Sequence, residues 1–175
     1  MDTLRYSDES DRAYGATGAA IGLIIYDGEG LLAGIDLDSE DPNDTVALSQ
    51  EFYFAGNPGV SAKAAWNQML KNYNLGISML MANVMCRYVV NRRSAVPSDL
   101  LTFMRTLAAS EGHDSCQLED DEIERLFDKN YNYLSRVFAH RGVQSVAHDF
   151  ASALMSRRSL SPHEALELLS ALNML

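Results

Sequence analysis

From Ala19 to Phe54 apolar positions recur at every second residue, and from Ser61 onward at every third or fourth, a change of period that divides the chain. Ala19, Ile21, Leu23 and Ile25 alternate toward one face, and Asp27-Gly28-Glu29-Gly30 then supplies turn residues. Leu31, Ala33, Ile35 and Leu37 alternate next. After an acidic loop, Val46, Leu48, Phe52 and Phe54 fall on one side of a third segment. The first run is apolar on both faces, with Ala20 and Gly22 on the second, as suits a central or covered strand. The pattern predicts a three-stranded antiparallel meander over 15–56 with one face in need of cover.

Beyond that point Trp66, Leu70, Tyr73, Ile77, Leu80, Val84 and Tyr88 step by three or four. They predict one long helix reaching Asn91, with Gly76 as a bend. Met69, Met79, Met81 and Met85 widen its apolar surface past a single stripe, so it must be covered on several sides. Shorter helices are predicted at Ser98–Ser110, Glu119–Ala139 and Val143–Ser156, with Gly142 as the stop between the last two. A final helix opens on Ser161-Pro162-His163-Glu164: an N-cap serine, proline at the first helical position and a capping-box glutamate. Strands followed by helices predict the α+β class: an N-terminal three-stranded antiparallel meander on a C-terminal bundle of about five helices, one of them long and central. The reading is a single domain over 15–175, its helical part 61–175, behind a polar and flexible start at 1–14.

Composition narrows the functional classes. With 47% hydrophobic and 22% charged residues the chain belongs with folded proteins. Its net charge of −10 is uneven: residues 1–60 hold 12 acids against two bases, Arg5 and Arg12, and the remainder is balanced. Nucleic-acid binding needs a surplus of lysine and arginine, so DNA and RNA are not expected partners. The most apolar stretch, Leu75–Val90, contains Asn83 and Arg87 and falls short of the roughly 20 apolar residues of a membrane span. The start joins no basic region to an apolar run, so no secretory signal is expected. Two cysteines make no disulfide framework, and a reducing cytoplasm is the expected location.

Candidate chemistry is sparse. Gly56-Asn57-Pro58-Gly59-Val60-Ser61-Ala62-Lys63 approaches the phosphate-loop pattern G-x-x-x-x-G-K-[ST], but Ser61 replaces the second glycine, Ala62 the lysine and Lys63 the hydroxyl residue. A type II turn at Pro58-Gly59, followed by Ser61 as N-cap of the long helix, accounts for the same residues. What survives is a weak anion or ligand site at Asn57, Gly59, Ser61 and Lys63. The acidic loop Asp36–Asp44 has alternating carboxylates, yet Asp41 and Ala47 stand where a calcium loop requires glycine and glutamate. A solvated turn begun by Asp41-Pro42 explains it. His113 and Cys116 are weak metal candidates without a second ligand pair, and Cys86 or Cys116 with a histidine carries no local catalytic signature. Arg157 and Arg158 could touch phosphates, but His163, Glu164 and Glu167 on the next helix do not suit a DNA reader.

No catalytic residue, cofactor or resident metal is therefore assigned, and the balance leans away from an enzyme. The leading expectation is a non-catalytic cytoplasmic interaction or self-association module, a homodimer through the 66–90 helix or a binder of another protein. The alternative is a small-molecule or anion-binding protein, or a small enzyme. Its site would lie between the sheet and the start of the long helix, drawing on Tyr53 and the acidic loop.

Overall fold

The computed structural model describes residues 5–53 and 61–175. It opens not with a strand but with helix α1, Glu9–Ile25. Strands β1 (Leu32–Asp36) and β2 (Val46–Leu48) follow, then the single turn α2 (Gln50–Tyr53). The long helix α3 runs from Ala62 to Met85 and continues as a π-helical turn over Cys86–Asn91. Helices α4 (Ser98–Cys116), α5 (Asp120–Ala139) and α6 (Arg141–Arg157) come next, then β3 (Ser159–Leu160) and α7 (Pro162–Leu169). The α+β class and the long helix hold.

The sheet has three antiparallel strands, as expected, but not the expected three. Its order is β2-β1-β3, with Ile35 opposite Val46 on one side and Leu160 on the other. The C-terminal strand therefore takes the place assigned to residues 19–25. Those residues lie in α1, where 13–23 are buried without a break. A segment apolar on every side matches a period of two as readily as one of 3.6, which is why alternation misled. Start and spacing both favour the helix. Asp8 accepts the Asp11 amide at 2.8 Å as N-cap, so residues 9–14 form the first turns of α1.

Gly18 and Gly22, one turn apart, let α3 approach closely: a Cβ on Gly18 would collide with the Ala82 carbonyl, and one on Gly22 would stand 2.8 Å from Ala82 Cβ. The helix-propensity cost of each glycine, about 1 kcal/mol, is offset by that packing. Ile21 and Leu23, both fully buried, contribute about 1.5–3 kcal/mol each.

The cover that α3 needs comes from within the chain. Its packing partners are α1, α4 and α5, and Met79, Met81 and Met85 are buried among them. Of the methionines that suggested a homodimer through residues 66–90, these three are covered within the chain, and Met69 is partly exposed. The first turns of α3 are the most exposed, with Trp66 42% exposed.

The later helices follow the sequence closely. Ser61 caps α3, its hydroxyl accepting from the Ala64 amide at 3.1 Å, and Ser161 and Glu164 form the expected capping box of α7. The break between α5 and α6 falls at His140, whose ring accepts from the Gly142 amide. Gly142 consequently lies in the first turn of α6 instead of ending α5.

One buried ion pair locks α1 to the end of α3. Arg87, on the π-helical turn, donates from Nε to Asp11 Oδ1 at 3.0 Å and from Nη2 to Asp11 Oδ2 at 2.7 Å, and both side chains are 1% exposed. Arg92 adds a contact of 3.1 Å to the same carboxylate. Burial alone would raise the Asp11 pKa, but the Arg87 hydrogen bonds, the Ser7 amide and the two arginine charges outweigh it and hold the carboxyl below its ordinary value.

Candidate functional site

Beside the outer face of the first turns of α1 lies a cleft of about 980 Å³, the size of a small-molecule site. Three walls define it: α1 from Asp8 to Ala19, the β1–β2 segment from Leu37 to Leu48, and α3 from Gly76 to Asn83. α2 closes one side with Phe52 and Tyr53. Val46, Leu48, Phe52, Met79 and Leu80 give it apolar surface, and Arg5, Arg12 and Arg158 face Asp8, Glu9 and Asp38 in equal number. No histidine or cysteine is among its described lining residues.

Local structure fixes these charges. Arg158 has φ 70, uncommon for a residue with a Cβ. Its amide bonds to Leu154 and its carbonyl accepts from Leu37, tying α6 to the end of β1. The side chain reaches Glu9 at 2.6 Å and Asp38 at 2.5 Å. The hydrogen bond from Arg158 is the main reason the Asp38 carboxyl titrates below its ordinary range. Asp8 is turned toward the helix amides it caps.

Arg12 is held differently. Its Nε donates to Thr45 Oγ1 at 2.9 Å, and its Nη2 donates to the Ser39 carbonyl at 2.8 Å and to Ser39 Oγ at 2.7 Å. Both hydroxyls are oriented for this. Thr45 donates its own proton to the Pro42 carbonyl, and Ser39 donates to the Asp41 carbonyl. The acidic loop thus does hold a cation, but an arginine, and through neutral oxygens. Elsewhere it is the turn expected of it: Asp41 caps a 3-10 turn over Pro42–Asp44 by accepting from the Asn43 amide.

Of the ligand-site residues expected from sequence, Asn57 and Gly59 lie outside the described residues. Ser61 is spent as a helix cap and Lys63 is exposed on the first turn of α3, and neither lines the cleft. Tyr53 does, 71% exposed, together with Asp38 and Asn43 of the acidic loop. Between the sheet and the long helix the described residues form a cleft at the middle of α3, and Ser61 and Lys63 at its start do not line it.

His113 and Cys116 do not converge on a metal. His113 shares Nδ1 with the Leu118 carbonyl and Nε2 with Asp120, each at 2.8 Å, and so fastens the α4–α5 corner. Cys116 is buried, which pushes its thiol pKa up. Among the described residues no group of three or more metal-ligating side chains occurs. The Arg157-Arg158 doublet is ion-paired with Glu164, Glu9 and Asp38.

Sequence reasoning missed Arg12, Ser39, Thr45 and Arg158 as one cluster. The available signal was that the acidic third holds only two bases; Arg12 is one of them, three residues from the acid that Arg158 completes. No helix among the described residues is long and apolar enough to cross a membrane. No protein family, curated protein or solved structure matches the chain.

Proposed function

We propose that the protein is a non-catalytic binding protein that takes a small molecule into the cleft between α1, the β1–β2 segment and the middle of α3. The observation that carries this reading is a concave site of small-molecule size in which Val46, Leu48, Phe52, Met79 and Leu80 meet a comparable share of charged and polar side chains. Its carboxylates are ion-paired or used as caps, which suits recognition better than proton transfer. The two cysteines are free, buried thiols, and that favours a reducing compartment such as the cytoplasm.

Gly76 gives the means of testing it. A Cβ there would stand 3.6 Å from Phe52 in ordinary contact, so Gly76→Leu intrudes into the cleft beside Phe52 while improving helix propensity by about 1 kcal/mol. A thermal-shift screen of small carboxylates, phosphates, amines and neutral amides should raise the wild-type melting temperature for at least one class and leave the variant unmoved. A flat response from the wild type, or an equal response from Gly76→Leu, would overturn the reading.

A further inference from the structure

We infer that Arg12 is the ligand-recognition group of this cleft and that the ligand it selects is a small organic anion, a monocarboxylate or phosphate monoester with an apolar body. The inference rests on the proposed binding role and specifies its chemistry. Among the charged side chains that line the cleft, Asp8, Glu9, Asp38 and Arg158 are each bound to a charged or backbone partner, and Arg5 is engaged as well. Arg12 is hydrogen-bonded only to a carbonyl and two hydroxyls, and no ion pair joins it to a carboxylate of the described residues. Arg158 draws both nearby acids, Glu9 and Asp38, to itself.

The hold on Arg12 is of the kind that prepares a cation for a ligand. Nε and Nη2 are anchored, which removes much of the side-chain freedom that binding would otherwise cost. The anchors carry no formal charge, the nearby Asp38 carboxylate attracts Arg12 only at longer range while hydrogen-bonded to Arg158, and among the described residues Nη1 has no hydrogen-bond partner, which leaves it open to a guest. An anion meeting Nη1 gains a charge-assisted hydrogen bond. Its apolar portion then lies along Val46, Leu48, Phe52, Met79 and Leu80. A free inorganic anion would gain only the first of these contacts.

The test compares two probes of nearly equal shape, 4-phenylbutanoate and 4-phenylbutanamide, by calorimetry on the full chain at neutral pH. A hydrogen bond to a charged group contributes about 1.5–3 kcal/mol, about a 10- to 150-fold preference for the carboxylate. Arg12→Gln should abolish that preference, whereas a purely structural role for Arg12 would lower both affinities in proportion and leave the preference as it was. The wild-type comparison stands even if the variant folds poorly. If carboxylate and amide bind equally, and Gly76→Leu abolishes both, the cleft reading survives and the anion inference falls. If neither probe binds, both fall. Acetate and inorganic phosphate, lacking the apolar body, should bind at least tenfold more weakly than 4-phenylbutanoate; equal binding would also overturn the inference.

Discussion

Two ion-pair centres grow from the first turns of α1 and face opposite ways. Asp11 points inward and meets Arg87 with both side chains 1% exposed, whereas Glu9, two residues earlier, points outward to an Arg158 that is 39% exposed. The chemistry is the same carboxylate–guanidinium contact, and the settings differ. In the core, removing one partner takes away the bidentate counter-charge that offsets the other's burial, and water does not replace it. At the rim, solvent and neighbouring polar groups replace whatever is lost. One centre therefore holds the fold together, and the other can be rearranged around a ligand.

The sharpest way to break this contrast is Asp11→Asn. It keeps the shape of the side chain but removes the carboxylate charge that faces the buried Arg87, and urea denaturation should show a loss of about 3–5 kcal/mol. Replacing both partners with apolar residues, Asp11→Leu with Arg87→Met, should cost less than the single change, because no charge is left unpaired.

Acid probes the same centre more gently. The Asp11 carboxyl is held below its ordinary value of 3.8, so its contribution is fully present above that pH and is lost as pH falls through the lower, folded value. Stability measured between pH 5 and pH 2 should therefore decline more steeply in the wild type than in the Asp11→Leu, Arg87→Met double variant. Parallel curves would show that the inner pair does not govern acid unfolding. The smallest effect is expected from Glu9→Gln at the rim, where the melting temperature should stay within experimental scatter of the wild type.

Much of the helical half is legible in the sequence because it is amphipathic and capped. α5 carries Ile123, Phe127, Leu134 and Phe138 on its buried face, and α7 announces itself with Ser161 and Glu164. α1 is not legible in the same way. Its apolar residues occupy every side, so no period is preferred, and its glycines, which read as room beside a strand, serve contact with Ala82. β3 is two residues long and pairs across more than a hundred positions, a length at which no periodicity exists. The cleft was legible only as the idea of a site between sheet and helix. Its charges are partners across sequence, Glu9 and Asp38 with Arg158, so dividing the chain into an acidic third and a neutral remainder separated groups that the fold brings together.

The most direct measurement is a two-dimensional amide NMR titration of the labelled protein with 4-phenylbutanoate. The account predicts saturable shifts concentrated at Arg12, Ser39, Thr45, Val46 and the Gly76–Asn83 turns of α3, with residues around Arg87 and His113 unmoved. Shifts centred instead on Glu111 and Asp114, which line a smaller hollow on the other side of α2, or no saturable shift at all, would contradict it.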